Sequence, residues 1–177
     1  MMKTTTAPAL YVGTYNKYNH GSIAGEWLDL DDYSDADEFI QACKDIHSDE
    51  SDPEFMFQDY EFIPEALYNE AFSKYDLERL FIWLHLDNRE AVGEYLDEYD
   101  PSGDVVDISE RYWTNLEDHR DDSLLADHEE LLGYYVADNG LVEIPDNLEP
   151  FIDYWKLGRS YMHELSVTDN GHVFFHK

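Results

Sequence analysis

Carboxylates are the side chains that offer this chain the most chemistry. The 177 residues include 41 Asp and Glu but only 11 Lys and Arg, which gives a formal net charge of -30. Two carboxylates at a suitable separation can act as the acid and the base of a hydrolase. With so many acids, close pairs arise by chance, so no single pair indicates an active site. We therefore expect no catalytic residue and no enzyme.

The thiol and imidazole groups do not indicate a site either. Cys43 lies on the apolar side of a predicted helix, where a buried core thiol is favoured over a nucleophile. His119 and His128 are nine residues apart, whereas a zinc pair on a helix needs i, i+4 spacing. Because His128 lies within an apolar helical stripe, we expect a core or edge imidazole.

The sequence also lacks motifs for calcium, phosphate or acyl chemistry. Asp29-Leu30-Asp31-Asp32 resembles the start of a calcium loop but lacks its central glycine and terminal glutamate. The run from Gly21 to Gly25 has no lysine of a phosphate-binding loop. No Gly-x-Ser-x-Gly motif is present. We expect neither a metal nor a cofactor.

The charge balance excludes two classes of partner. A conventional nucleic-acid binder needs clustered Lys and Arg, and an anionic membrane surface repels an acidic protein. No segment approaches the roughly 20 apolar residues of a membrane span, and residues 1–8 lack the apolar stretch of a secretory signal. The one cysteine excludes a disulfide framework within the chain. We expect a cytoplasmic protein that binds neither nucleic acid nor membranes.

The first third of the sequence predicts a β-β-α-β unit. Runs rich in apolar and aromatic residues predict strands over 10–15 and 55–61, and alternation of Trp27 and its neighbours with acids predicts a strand over 23–30. A polar loop is predicted over 16–21. Before the third strand, Ser34 could cap a helix. The buried stripe of that helix is Phe39, Ile40, Cys43 and Ile46. We place the end of this N-terminal α+β domain at residue 63.

Helical periodicity replaces strand alternation after Pro64. Apolar stripes predict one helix over 67–72 and a second that starts after Asp76. Asp87 with Glu90 forms a capping box for a third helix. Three short helices with tight joints are typical of a small bundle. The turn-rich run 100–104 ends this helical domain, which we assign to residues 64–103.

The remaining residues, 104–177, predict a mixed C-terminal α+β domain. An apolar stripe runs from Leu124 to Val136 and stops at Asn139-Gly140. A capping box of Asp146 and Glu149 predicts a second helix that ends at Gly158. Asp169-Asn170-Gly171 predicts the turn of a hairpin. The chain as a whole is predicted to be α+β, with three small domains.

The use that remains for the acids is the electric field that they create. Like charges oppose folding, and ordinary surfaces mix both signs. Duplex DNA carries one charge per ~1.7 Å of axis, so a net charge of -30 equals that of ~15 base pairs. Matching this density requires an elongated shape, because a compact globule would be ~40 Å across. The candidate residues for a duplex-like surface are Asp29, Asp31, Asp32, Asp35, Glu38, Glu90, Glu94, Asp97, Glu98, Glu117, Asp118, Asp121, Asp122, Glu129 and Glu130.

Both ends of the sequence resemble the ArdA antirestriction proteins. Residues 11–21 (YVGTYNKYNHG), followed by Gly25-Glu26-Trp27, resemble the start of that family, and Gln58-Asp59-Tyr60-Glu61 resembles the close of its first domain. Phe151-Ile152-Asp153-Tyr154 with Gly158-Arg159, together with the preceding residues 131–145, resembles its C-terminal signature. The resemblance covers most of the chain, at a similar length and charge.

This resemblance implies a function. ArdA proteins are carried by conjugative plasmids and transposons, mimic bent B-form DNA and occupy the DNA-binding groove of type I restriction-modification enzymes. On this resemblance, the protein would bind the methyltransferase core of such an enzyme and protect incoming DNA. The family has three small domains in an elongated arrangement and dimerises through the C-terminal one. Candidates for a homodimer contact, with domain core as the other interpretation, are Tyr134, Tyr135, Leu141, Val142 and Ile144.

Two other classes of protein stay open at this point. A halophilic enzyme would also be rich in acids and poor in lysine, but it should unfold at low salt. An acidic protein that binds calcium or histones is the second alternative. The lack of a calcium loop and of a separate acidic tail argues against this second class.

Overall fold

Both halves of the chain contain helices and strands. The computed structural model describes residues 7–120 and 126–176, and these ranges contain helices and two three-stranded antiparallel sheets. This mixture confirms the predicted α+β class. Contacts divide the chain into two units, one up to Val106 and one from Asp107. The division into three domains and the elongated shape stay predictions. Within the described ranges, no helix is long and apolar enough to cross a lipid bilayer.

The first sheet has β1 at its centre, antiparallel to both neighbours. Its strands are β1 (Ala9–Thr14), β2 (Glu26–Asp29) and β3 (Phe55–Glu61), so all three predicted strands are confirmed. Val12 of β1 lies opposite Phe57 of β3, and both side chains are buried. The helix α2 (Ala36–Ile46) covers this face, where the Phe39 ring lies 6.1 Å from that of Phe57. Burial against these rings accounts for most of the local stabilisation.

Cys43 belongs to this core, as the sequence predicted. Its side chain is fully buried on α2. Burial in apolar surroundings disfavours the charged thiolate and raises the pKa of the Cys43 thiol to about 12. At neutral pH the sulfur is therefore a protonated packing group and not a nucleophile.

Two local predictions in this unit were wrong. Residues 16–21 were expected to form a loop, but α1 (Tyr15–Asn19) occupies most of them, because the Thr14 side chain accepts a hydrogen bond from the Lys17 amide at 3.2 Å and caps the helix. The cap of α2 is Asp35, not Ser34: the Asp35 carboxylate accepts from the Glu38 amide at 2.9 Å. Ser34 instead donates to the Glu38 carboxylate.

The helical part of the first unit contains two α-helices where three were predicted. These are α3 (Lys74–Leu84) and α4 (Arg89–Glu98). The predicted helix over 67–72 is replaced by a single 3-10 turn, Glu65–Leu67. Tyr68 leaves the helical path because its ring stacks on Tyr60 at 4.1 Å and its hydroxyl donates to the Phe57 carbonyl at 2.6 Å. These contacts with β3 outweigh the local helical pattern.

The caps of α3 and α4 also differ from the prediction. Ser73 and Asp76 form a reciprocal capping box at the start of α3. For α4, the predicted box of Asp87 and Glu90 is wrong, because the cap position is Asn88 and its side chain makes no capping bond. The predicted turn over 100–104 is confirmed as the end of this helical part.

The second unit combines a three-stranded sheet with two packed helices. Its elements are α5 (Val105–Arg111), which begins just before the boundary, β4 (Tyr112–Asn115), α6 (His128–Asp138), α7 (Tyr154–Tyr161), β5 (Leu165–Val167) and β6 (His172–Phe175). The strand order is β4-β6-β5. The predicted hairpin is confirmed, with Gly171 at a φ of 84° in its turn. β4 was not predicted.

The two helices of this unit approach each other at glycines. A Cβ atom on Gly158 would lie 1.8 Å from the Glu129 carbonyl oxygen of α6, and one on Gly133 would lie 1.9 Å from the Tyr154 carbonyl oxygen of α7. Gly158 was predicted to end its helix, but it lies inside α7, which begins after the cap Asp153. Its role is close packing of two backbones. The predicted stop of α6 at Asn139 is confirmed, whereas Leu124 and Leu125 lie outside the described residues.

Candidate acidic interaction surface

The acids of the described ranges all lie at the protein surface. No Asp or Glu in residues 7–120 and 126–176 is buried, and most are exposed. Many of them nevertheless belong to helices, strands or helix caps. Burying an unpaired carboxylate would cost several kcal/mol, so the fold turns this charge outward. The surface that results is fixed in shape as well as strongly negative.

One group of candidate acids surrounds the start of α2. Asp31 and Asp32 lie exposed in a 3-10 turn after β2, while Asp29 at the end of that strand is half-buried. Arg89 donates to Asp31 at 3.0 Å. Hydrogen bonds from the Ser34 amide and hydroxyl hold the pKa of Glu38 below its usual value. Glu38 therefore stays ionised at neutral pH.

A second group lies along α4. Glu90, Glu94 and Asp97 line a groove of about 470 Å³, and Glu98 is exposed beside it. Helical spacing places the first three on one side of α4. The Asp97 carboxylate also accepts hydrogen bonds from the amides of Glu65 (3.2 Å) and Ala66 (2.8 Å). Asp97 thus fixes the neighbouring 3-10 turn while it contributes negative charge.

A third group belongs to the second unit. Glu117 accepts two hydrogen bonds of 2.6 Å from the Arg120 guanidinium, and His128 Nε2 lies 3.2 Å from Glu117 Oε1, one of the two accepting oxygens. These contacts, Arg120 foremost, hold the pKa of Glu117 below its usual value. His128 is thus an edge imidazole at the start of α6, one of the two predicted alternatives. Glu129 and Glu130 follow it and are half-buried.

Two further observations complete this third group. Asp118 is exposed in the 3-10 turn that contains Glu117. Asp121 and Asp122 lie outside the described residues. The candidate acids therefore fall into two groups on the first unit and one on the second.

Basic side chains neutralise only a minority of the acids. With 41 acidic and 11 basic residues, one-to-one pairing leaves most carboxylates without a cation. Among the described ion pairs, the shortest joins Arg120 to Glu117 at 2.6 Å. The other pairs that involve Lys or Arg are Lys17–Asp49, Lys17–Glu50, Lys74–Asp37, Lys74–Glu78, Arg89–Asp31, Arg111–Asp107 and Lys156–Asp153.

One cluster has the composition of a metal site. The ligand atoms of His47, Asp49 and Glu50 lie within 4.8 Å of one another. The Lys17 ammonium lies 2.9 Å from His47 Nδ1, 2.9 Å from Asp49 and 3.8 Å from Glu50. His47 Nε2 lies 3.1 Å from the Val12 carbonyl oxygen, so it carries the proton and Nδ1 accepts from Lys17. A positive group of the chain itself therefore fills the space between these ligands. The sequence did not reveal this cluster, because Lys17 and His47 are far apart along the chain.

The residues considered for a dimer contact make several contacts within their own unit. The Tyr134 ring stacks on Tyr154 at 4.1 Å. Tyr135 packs edge-on against Trp113 at 5.0 Å and, like Val142, borders the core of the second unit. Leu141 is 50% exposed and Ile144 is half-buried. Leu141 is therefore the most exposed of these five side chains and the one most available to a partner.

The structure also reveals a surface site that the sequence did not indicate. Aromatic and aliphatic side chains of β1, α1 and β2 form a concave site of about 480 Å³, which we call the aromatic pocket. It is lined chiefly by Tyr11, Tyr18, Ile23, Trp27, Asp59 and Glu70. Only the strand register brings these distant residues together, and no local motif could have predicted it.

The fold and this surface define a class: a polyanionic α+β protein whose described carboxylates lie at the surface, many of them on helices and strands. Comparison with curated proteins finds no match. A family model described as antirestriction protein (ArdA) matches residues 10–174. Because the match covers nearly the whole chain, the chain belongs to the ArdA antirestriction protein family. The resemblance at the two ends of the sequence is thereby confirmed.

Proposed function

We propose that the protein inhibits type I restriction-modification enzymes by occupying the DNA-binding groove of their methyltransferase core. Membership of the ArdA family makes it an antirestriction protein. The observation that carries the finer proposal is that no described Asp or Glu is buried, although many of these acids belong to helices, strands or helix caps. A rigid surface of carboxylates can replace the phosphates of a duplex in a groove built to bind them.

The proposed mechanism is competitive and has no catalytic step. Basic side chains of the groove exchange phosphate contacts for carboxylate contacts, so that incoming mobile-element DNA is not cleaved. Hydrogen bonds from neighbouring donors hold the pKa of four carboxyl groups below the usual value, namely Glu38, Asp49, Glu117 and Asp153. They therefore remain negatively charged at neutral pH, as phosphates do.

The arrangement of the units is part of this proposal. We infer an elongated chain of three small domains and a homodimer formed through the C-terminal one, in which Leu141 and its neighbours make the contact. A dimer would carry the charge of ~30 base pairs of duplex. Carriage on a conjugative plasmid and action in the cytoplasm belong to the same proposal, because entering DNA meets restriction enzymes there.

The decisive experiment is displacement of DNA from a purified type I methyltransferase core. A fluorescent duplex that contains the recognition site is bound first, and the protein is then added. We expect the duplex to be released and the protein to co-elute with the enzyme. Polyglutamate of the same total charge serves as the control, because it has no fixed shape. Failure of the folded protein to release the duplex, or equal release by polyglutamate, would show that the proposed mimicry is wrong.

A further inference from the structure

The aromatic pocket lies on the face of the first sheet opposite the one that α2 covers. Leu10 and Val12 of β1 point into the core, so Tyr11 between them points to the other face. The register places Tyr11 opposite Trp27 of β2 on one side and opposite Asp59 of β3 on the other. An aromatic pair and a carboxylate thus form one row across three strands.

The pocket keeps its shape because its loop is tied to the sheet. The Tyr11 hydroxyl donates to the carbonyls of Ile23 (2.9 Å) and Gly25 (3.1 Å). A Cβ atom on Gly25 would lie 2.3 Å from the Val12 carbonyl oxygen, so the loop passes closer to β1 than any other residue would allow. The Trp27 ring packs edge-on against Tyr11 at 5.5 Å. The site is therefore formed before any partner arrives.

Its apolar side chains are far more exposed than packing requires. Ile23 is 73%, Tyr18 is 51% and Trp27 is 43% exposed. A fixed apolar patch of this kind usually marks an interaction site. The two carboxylates at the pocket, Asp59 and Glu70, are also exposed, and no Lys or Arg is among its lining residues. The pocket consequently combines π-faces with negative charge, which is the chemistry that recognises an organic cation.

Among organic cations, the arginine side chain fits this combination best. The guanidinium is planar and weakly hydrated, stacks on aromatic rings and pairs with carboxylates, whereas the ammonium of lysine is compact and strongly hydrated. The aliphatic stem of arginine can in turn lie on apolar walls such as Ile23. We propose that the aromatic pocket binds an arginine side chain presented on a basic protein surface. That this surface belongs to a restriction enzyme rests on the proposed function, whereas the arginine-binding chemistry of the pocket does not depend on it.

The first experiment measures the pocket alone. The folded, isotope-labelled protein is titrated with N-acetylarginine amide at ~0.15 M salt, where weak surface attraction is screened, and the indole N–H resonance of Trp27 is followed by NMR. The neutral analogue N-acetylcitrulline amide is the matched probe. We expect saturable shifts of the Trp27 resonance with arginine only. Equal shifts with citrulline, or arginine shifts spread over acids elsewhere without preference for the pocket, would overturn the proposal.

Variants without a change of charge locate the site. Followed through backbone amide resonances of the pocket, which both variants retain, Trp27→Leu and Tyr18→Ala should each weaken arginine binding about three- to tenfold, the range expected for loss of a cation–π contact. Tyr75→Leu is the control, because Tyr75 is 71% exposed in the same unit but lies outside the pocket. Circular dichroism checks folding, and Tyr18→Ala decides the test if Trp27→Leu does not fold. Unchanged binding, or an altered sedimentation coefficient that reveals a contact between copies, would contradict the proposal.

A second experiment separates this inference from the proposed function. In the duplex-displacement assay, Trp27→Leu should require about three- to tenfold more protein than the wild type, while the salt dependence stays the same because no charge changes. If the wild type fails to displace the duplex, the proposed function is wrong and the arginine titration still decides the pocket. If Trp27→Leu displaces the duplex as well as the wild type, the inference that the pocket holds an arginine of the restriction enzyme is wrong, whereas mimicry stands.

Discussion

At the scale of single residues, several candidate acids have a structural role in addition to their charge. Asp35 caps α2, Asp97 accepts two backbone hydrogen bonds, and Glu117 pairs with Arg120. Asp32 and Asp118 are exposed. Substitution of an acid with such a structural role will change the stability of the protein as well as its surface charge. A mutational test of DNA mimicry therefore needs two variants that each remove one negative charge, one at an acid with a structural role and one at an acid without it.

The start of α2 provides such a pair. Asp35→Ala removes the side chain that accepts from the Glu38 amide, so we expect a loss of about 1 kcal/mol in the free energy of unfolding. Asp32→Ala removes one exposed charge nearby and should change stability by less than about 0.5 kcal/mol. Urea unfolding of both variants measures the difference. Equal destabilisation would mean that Asp35 does not act as a cap.

Glu117 should make the stability of the protein depend on pH. Its pKa in the folded state is lowered by Arg120, so its stabilising effect is complete above the unfolded pKa of ~4.3. The effect is lost as pH falls through the lowered folded value. Glu117→Gln should therefore lower the urea midpoint relative to the wild type at pH 7, and this gap should narrow below about pH 4. A gap that is constant with pH would contradict the proposed role of the ion pair.

At the scale of elements, the sequence predicted features whose cause is local. The strand β3 is rich in aromatic and apolar residues, and the turn at Gly171 has the Asp-Asn-Gly sequence of a hairpin, so both were found. The helix predicted over 67–72 was wrong because Tyr68 is held by Tyr60 and Phe57 of β3. The strand β4 was missed because β6, its partner, lies far along the chain. Contacts between distant segments decided both outcomes.

The crossing of α6 and α7 gives a prediction in which packing opposes helix propensity. Alanine is favoured over glycine by about 1 kcal/mol within a helix, but a Cβ atom at Gly158 would overlap backbone atoms of Glu129 and Gly133. Gly158→Ala should therefore destabilise the second unit by about 1–3 kcal/mol or more. Ser160→Ala, at an exposed position of the same helix, is the control. Thermal unfolding shows whether Gly158→Ala lowers or raises the stability of the second unit. Stabilisation would refute the close packing of α6 and α7 at this glycine.

The candidate acidic surface was predictable in part. Composition alone requires that most of 41 acids lie in water, because their burial would be too costly. Which acids also bond to the backbone could not be predicted. Asp97, for example, bonds to Glu65 and Ala66, which lie about thirty residues before it. The aromatic pocket depends in the same way on strand register and could not be inferred from any single segment.

At the scale of the whole molecule, charge is distributed over both units, and inhibition should be distributed likewise. Glu94→Gln should weaken inhibition by no more than about fivefold, since one exposed ion pair contributes at most ~1 kcal/mol. The combined change of Glu90, Glu94 and Glu98 to Gln should weaken it much further. Duplex displacement measures both variants, with circular dichroism as the control for folding. Loss of most activity from Glu94→Gln alone would argue for a single dominant contact.

Salt should weaken the inhibition steeply. Binding through many charges releases many counterions, so raising salt from ~50 to ~200 mM should weaken binding to the methyltransferase core by at least about tenfold. Displacement assays across this range give the slope. The fold itself should persist at low salt, which separates the protein from a halophilic enzyme. A flat slope, or unfolding at low salt, would contradict mimicry through charge.

The Lys17 ammonium takes the place that a bound metal ion could occupy in the first unit. It occupies the space between His47, Asp49 and Glu50, and it is covalently attached to the chain. A bound ion would leave when its concentration dropped or when a chelator competed for it. A tethered countercharge cannot dissociate, so this corner of the protein is assembled as soon as the polypeptide folds, whatever the supply of divalent ions around it.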